Sequence, residues 1–319
     1  MTVLERWKLT VSPEQAGSRL DAFCAAGTGV SRARIADWVS SAQVWREDRK
    51  QVKPSFRVTE GEVWMVEAPE PASLDTVAES MPLDIVFEDD QVVVVNKPSG
   101  LVVHPAPGHA TGTLVNGLLA HCDDLDGVGD VLRPGIVHRI DKETSGLIVV
   151  TKTNGAHATL SEQFAQHTVR RNYLMLCTRV SGQGLEDRGT IETTHARHPV
   201  DRKRFTGRLA EGKRAVTHYE VLERFRDGAL LVACRLETGR THQIRMHLSE
   251  AGCPMLGDEM YGGRSVAETA LIGRVALHAA TLGFCHPDGR ELDFEAPLPE
   301  DFAEALAALR AGRTWRKSR

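Results

Sequence analysis

The chain has 319 residues, 41% hydrophobic and 26% charged, the composition of an ordinary globular protein long enough for two domains. A net charge of -4 and only 5% aromatics exclude a basic coat or a stacking platform for single-stranded nucleic acid, so any such contact must be local. No apolar run approaches the roughly 20 residues that span a bilayer, and Met1 to Thr10 carries Glu5, Arg6 and Lys8 where a signal peptide would be apolar; the expectation is a cytoplasmic protein with no membrane partner.

Ala16 to Phe23 begins a short helix and Ser31 to Val39 a second, with Ser31 as N-cap and Ile35 and Val39 at i, i+4 spacing. Arg32 and Arg34 fall largely off that apolar stripe, free to meet phosphates. β-prone pieces follow at Gln43 to Trp45, Ser55 to Val58 and Glu62 to Val66. Ala68 to Ser73, with two prolines, reads as a linker, and a second domain opens near Pro82. There Ile85 to Phe87 and Gln91 to Asn96 form a hairpin that delivers the turn Lys97-Pro98-Ser99-Gly100.

Further on, Val137-His138-Arg139-Ile140-Asp141-Lys142-Glu143-Thr144-Ser145-Gly146 places a lone carboxylate between two strand-like runs, Gly135 to Val137 and Gly146 to Val150. A loop pinned at both ends can hold Asp141 in register with a substrate, although an ordinary loop Asp would only pair with Arg139 or Lys142. Ala156, Leu160, Phe164 and His167 mark a helix, Val169 to Cys177 a strand. Between Arg197 and Arg214, seven basic residues face Asp201 and Glu211. Leu230 to Leu236 is a strand turned by Thr238-Gly239, and Thr241 caps a helix running to Ala251, so Arg240 sits at a strand-to-helix junction. Phe302, Leu306 and Leu309 give a closing amphipathic helix, followed by a basic tail with the features of a solvated end.

Six widely spaced cysteines show no C-x-x-C pair and read as buried thiols. Among thirteen histidines there is no H-E-x-x-H, and His242 and His247 are five apart, off one helical face; no metal is expected. A hydrolase built on His138, Asp141 and a serine fails on the absence of G-x-S-x-G and on a strand-like His138 that points away from Arg139.

The Asp141 string resembles the signature HR(L/I)Dxx(T/S)(S/G)G of the RluA-type pseudouridine synthases. Asn96 to Pro105, Gly112 to Asn116, Arg171-Asn172-Tyr173, Arg197 to Arg204, Gly239-Arg240-Thr241-His242-Gln243-Ile244-Arg245-Met246-His247, Gly257 to Gly263 and Leu277-His278-Ala279 are similar to further blocks of that family, in its order. The likeness runs from about Leu83 to Pro299 and is nearest to the RluD-type enzymes of large-subunit ribosomal RNA. Residues 1 to 75 resemble an S4 RNA-binding domain, although its usual turn V-x-V-N-G-K is replaced by Val44-Trp45-Arg46-Glu47-Asp48-Arg49-Lys50 and residues 1 to 80 sum to about -2.

The resemblance implies an α+β protein: a small S4 domain with linker over 1–75, a catalytic domain over 82–310 built on a largely antiparallel mixed sheet with flanking helices, and a basic tail over 311–319. It implies isomerisation of uridine to pseudouridine without a cofactor, Asp141 being the catalytic residue. Arg240 is assigned as the cation that keeps Asp141 ionised, since a carboxylate sealed from water needs one. Tyr173 stacks on the base and is placed to help move the C5 proton, Arg139 fills the gap left by the flipped nucleotide, and Ile244 lines the uracil pocket. Arg202, Lys203 and Arg204 contact the RNA backbone, and Arg32 and Arg34 carry the S4 contacts. The expected partner is a stem-loop of ribosomal RNA, free or in a large-subunit precursor, with the enzyme a monomer. A tRNA substrate and an inert RNA-binding assembly protein are the alternatives; intact Asp141, Tyr173 and Arg240 argue against the second.

Overall fold

The structure, a computed structural model, describes residues 3–30, 32–46, 52–69, 77–105, 109–122, 125, 128–130, 133–180, 184–262, 266 and 271–315. Ser31, the side chain of Arg34, the turn residues Glu47 to Lys50, linker residues Glu70 to Ser73, Gly263, and Arg316, Lys317 and Arg319 of the tail lie outside them. The chain divides into two compact units, Met1–Asp75 and Thr76–Arg319.

The first unit contains β1 (Val3–Thr10), α1 (Leu20–Thr28), α2 (Arg32–Ser40), β2 (Val44–Trp45) and β3 (Val63–Pro69). Its antiparallel sheet has the order β1-β3-β2. The helices turn Leu20, Phe23, Ile35, Trp38 and Val39 against Trp64 and Val66 of β3 to make one core. Ser55 to Val58 does not form the expected strand. Its backbone serves the entry to α1, where Leu20 N donates to Phe56 O and Val58 N to Ser18 O. Arg32 is not uncommitted either, because its Nε lies 3.2 Å from the buried Asp21, which Arg19 also holds at 2.7 Å.

The second unit runs β4 (Ile85–Glu88), β5 (Val92–Lys97), α3 (Leu114–His121), β6 (Gly129–Asp130), β7 (Arg133–Pro134), β8 (Ser145–Thr151), α4 (Asn154–Ala165), β9 (Arg170–Thr178), β10 (Arg188–Arg197), β11 (Phe205–Thr206), β12 (Lys213–Arg224), β13 (Ala229–Leu236), α5 (Gln243–Glu250), α6 (Glu259–Gly262), β14 (Leu277–Cys285), β15 (Glu291–Glu295) and α7 (Glu300–Arg310). A ten-stranded sheet has the order β11-β10-β12-β13-β9-β14-β8-β5-β4, with β15 on β14. Its pairings are antiparallel except β8 with β14, so the α+β class with a largely antiparallel mixed sheet holds.

The unbroken apolar runs of β5 and β8 follow from burial on both faces. Val93, Val95, Ile148 and Val150 pack with Leu114 and Leu118 of α3, whereas Val92, Val94, Leu147 and Val149 pack with Ala156 and Leu160 of α4. Gly146 lets β14 close on the strand that leaves the Asp141 turn. Its φ is 107°, and a Cβ there would lie 2.2 Å from Ala279 O.

Two helix ends differ from the sequence expectation. α4 stops at Ala165, and His167 lies beyond it with φ 60°, so it belongs to the turn. α5 starts after His242, which takes the cap position with φ 56°, so Thr241 is not its cap. No disulfide joins the six cysteines, five of which are buried. Among the described residues no helix is long and apolar enough to cross a membrane.

Candidate active site

Asp141 occupies a turn closed by Thr144 N donating to Asp141 O at 3.1 Å. The run entering this turn is not a full strand: Ile136 makes a single bridge to Val150, and Thr151 N donates to Gly135 O at 2.9 Å. The turn is tied from behind instead. Lys97 at the end of β5 is fully buried and donates from Nζ to Lys142 O at 3.1 Å, and also to Pro98 O and Leu101 O. Burial pushes the Lys97 ammonium down to about 7, against the pull of Glu143 and Asp141. Gly100 N donates to Lys142 O at 2.9 Å, Ser99 Oγ to Glu143 O at 2.8 Å and Arg274 Nη1 to Glu143 O at 3.2 Å. The carboxylate therefore projects from a backbone fixed on several sides.

Its cation comes from α5. Arg245 Nη1 donates to Asp141 Oδ2 at 3.1 Å, while Nε and Nη2 donate to the two oxygens of Asp258 at 2.7 and 3.0 Å. Arg245 is 7% exposed and Asp258 fully buried. Burial opposes the guanidinium charge, but Asp258 and Asp141 outweigh it and raise the pKa. The other carboxylate oxygen, Oδ1, accepts no hydrogen bond among the described residues and lies 4.0 Å from His242 Nε2.

Gln243 fixes where α5 begins. Its Oε1 accepts from Arg240 N at 3.0 Å and Thr238 Oγ1 at 2.8 Å, and its Nε2 donates to Val216 O and Thr217 Oγ1. This buried amide locks the β13-to-α5 junction to β12 and sets the direction in which Arg245 leaves the helix.

Asp141, Tyr173, Ile244, Arg139 and Arg240 all line one cavity of about 60 Å³, together with Arg171 and Arg245. An adjoining cavity of about 430 Å³ shares Arg139, Arg171, Gly239 and Arg240 as its wall. Tyr173 is buried, and that burial raises its pKa, with Asp141 adding to the effect and Arg171 opposing it. Ile244 is 4% exposed and belongs to the main core cluster as well as to the cavity wall. Arg139 is exposed and donates to Thr241 Oγ1 at 2.6 Å.

One sequence assignment needs correction. Arg240 is not the cation paired with Asp141, because its Nε donates to Arg214 O at 3.3 Å and Arg245 holds the carboxylate instead. The left-handed His242 turns the chain between these two arginines, so only Arg245 leaves the helix toward Asp141. Arg202 and Lys203 are exposed on the β10–β11 connection and lie outside the cavity walls. Arg204 packs its guanidinium 5.2 Å over the ring of Tyr261, whose ring also lies 5.2 Å from the Arg245 guanidinium. Sequence reasoning thus missed the roles of Arg245, Asp258 and Lys97, although all three stand in quoted blocks. His138 is excluded as a base: its Nε2 accepts from Val149 N at 3.1 Å, and burial lowers its pKa to about 3.

Replacing Arg245 with Met should cost about 3–5 kcal/mol of stability, because Asp258 would be left buried and charged without its partner. Urea unfolding checks this, and a loss below about 1 kcal/mol would mean that Asp258 has another way to dispose of its charge.

Comparison with known proteins agrees with the geometry. The sequence profile described as RNA pseudouridylate synthase matches residues 91–250. The chain is 49% identical to "Uncharacterized RNA pseudouridine synthase YlyB" of Bacillus subtilis, over 95% of this chain and 97% of that one. It is 45% identical to "Ribosomal large subunit pseudouridine synthase D" of Zymomonas mobilis, over 92% of this chain and 94% of that one. Among solved structures, "Human RNA Pseudouridylate Synthase Domain Containing 4" superposes with a TM-score of 0.55 at 26% identity, covering 71% of this chain and 92% of that chain. A cavity built around one arginine-held aspartate, on a fold and sequence shared with these proteins, makes the chain a member of the RNA pseudouridylate synthase family.

Proposed function

We propose that this pseudouridine synthase acts on uridines of large-subunit ribosomal RNA, with Asp141 as the reacting carboxylate. The observation that carries the chemistry is Asp141 in a cavity with one oxygen held by Arg245 at 3.1 Å and the other accepting no hydrogen bond among the described residues. Relatives named "Ribosomal large subunit pseudouridine synthase D", at 42–45% identity across at least 92% of this chain, support the substrate.

The reaction breaks the N1–C1′ bond of uridine, turns the uracil, joins C5 to C1′, releases the C5 proton and takes up a proton at N1. No electrons are gained or lost overall and no group is supplied from outside. Asp141 serves either by attacking C1′ or by removing the 2′ proton. Arg245 keeps its charge in place when RNA closes the cavity and water is lost. Tyr173 stacks on the base, Ile244 bounds the uracil, and Arg139 at the cavity mouth fills the space vacated in the RNA stack. Arg240, freed from the role of ion-pair partner, meets the RNA at the cavity rim. Arg202, Lys203 and Arg204 meet its backbone on the β10–β11 connection.

The first unit is read as an S4-type RNA-binding domain on its helix pair followed by antiparallel strands, with Arg34 of α2 and the exposed part of Arg32, which also meets Asp21, as contacts. In this reading the working unit is a monomer in the cytoplasm. Light scattering should return a mass near 35.0 kDa, and twice that value would contradict a single copy.

The direct test is tritium release from C5-tritiated uridine in protein-free large-subunit ribosomal RNA. Wild type should release it and Asp141→Asn should not, with unchanged circular dichroism. Release from tRNA alone would overturn the substrate, and equal release by the variant would remove Asp141. Deleting residues 1 to 75 should weaken RNA binding while the remaining enzyme still isomerises at high RNA concentration; unaltered affinity would contradict the S4 reading.

A further inference from the structure

Arg171 lies on β9 two residues before Tyr173, on the same face of the strand. It is 6% exposed, and no carboxylate lies within ion-pair distance among the described residues. Its Nη2 donates to Glu237 O at 3.3 Å, its Nε has no hydrogen-bond partner, and its guanidinium rests 5.3 Å over the ring of Phe164. Other buried arginines of this unit are answered in full: Arg245 by Asp258 and Asp141, Arg274 by Asp301. A buried cation without a counter-ion is costly and persists where the missing charge arrives from outside.

The position of Arg171 says what could bring that charge. It lines both the cavity of Asp141 and Tyr173 and the larger one beside it. The wall shared by the two consists of Arg139, Arg171, Gly239 and Arg240, three cations without an acid. Gly239 leaves room for this arrangement, since a Cβ there would lie 2.6 Å from Arg171 Nη1. A nucleotide whose base enters the first cavity carries a phosphate on each side, and the guanidinium fork matches phosphate oxygens.

We propose that Arg171 is a positioning residue that binds one of the two backbone phosphates flanking the target uridine, so that the buried charge is completed only when RNA is seated. This rests on the reading of the cavity as a site for a nucleotide flipped out of RNA. Arg171 touches the phosphodiester and takes no part in bond making or breaking.

The test combines a substitution with a matching change in the ligand. Affinity is measured by filter binding for Asp141→Asn, with and without Arg171→Met, on a uridine-bearing stem-loop of large-subunit ribosomal RNA. The stem-loop carries ordinary phosphates or a single neutral methylphosphonate 5′ or 3′ of the target uridine. Arg171→Met should weaken binding of the ordinary RNA by about tenfold, the scale of a charged hydrogen bond. One of the two methylphosphonates should weaken binding to the protein that retains Arg171 by the same factor, yet cause no further loss in Arg171→Met. Losses that multiply, or indifference to both methylphosphonates, would overturn the proposal. Thermal unfolding separates a structural role: the Arg171→Met midpoint should be unchanged or higher, and a fall of many degrees would also overturn it. Tritium release by wild type from the same stem-loop reads the isomerase separately. Its absence would count against the uridine reading, whereas multiplying losses with release intact would count against Arg171 alone.

Discussion

The site depends on one guanidinium shared between two carboxylates. Arg245 meets Asp258 through two hydrogen bonds in the core and presents its remaining nitrogen to Asp141. The inner pair is buried and bidentate, so Arg245 cannot swing. The outer contact is then the only one that substrate can influence. A rigid guanidinium holds one Asp141 oxygen in a fixed place, which an exposed and flexible lysine would not guarantee. Tyr261 joins this arrangement from the side, with its hydroxyl accepting from Phe205 N at 2.9 Å and its ring between Arg204 and Arg245. The basic β10–β11 connection is thereby packed, through Tyr261, against the guanidinium that holds Asp141.

The rest of the fold holds the opposite side of that contact. Asp141 lies on a turn whose carbonyls are gripped by Lys97, Gly100, Ser99 and Arg274, residues from β5, the turn after it and the segment before β14. Gly146 allows β14 to run against β8 directly behind this turn. Gln243 fixes the helix that carries Arg245. Both partners of the ion pair are thus set by buried backbone contacts before any RNA arrives, which is the preorganisation that electrostatic catalysis requires.

Much of this was legible in the sequence because it rested on local strings. The Asp141 segment, the β4–β5 hairpin, Tyr173 on a strand and the closing helix follow from residue patterns that extend over a few positions. The partner of Asp141 was not legible, because it lies 104 residues away and the sequence reading assigned the role to the other arginine of its block, Arg240. What decided between them is the left-handed backbone at His242, φ 56°, and nothing in a histidine's identity announces it. The long strands β10 and β12 also escaped notice, since most of their residues are exposed or half-buried and many are charged. Likewise, the sequence left Arg32 open to phosphate because a buried aspartate eleven residues earlier is invisible as its partner until the helices pack.

The central claim is that the fully buried Asp258 fixes Arg245 against Asp141 and, on the proposed mechanism, thereby sets the rate. Single-turnover pseudouridine formation by Asp258→Asn, measured where the variant is fully folded, tests it most directly. The rate constant should fall by about 100-fold with RNA affinity unchanged, as expected when a reacting group is misplaced by a distant change. A rate equal to wild type would mean that Asp141 needs no such anchor and would contradict the account.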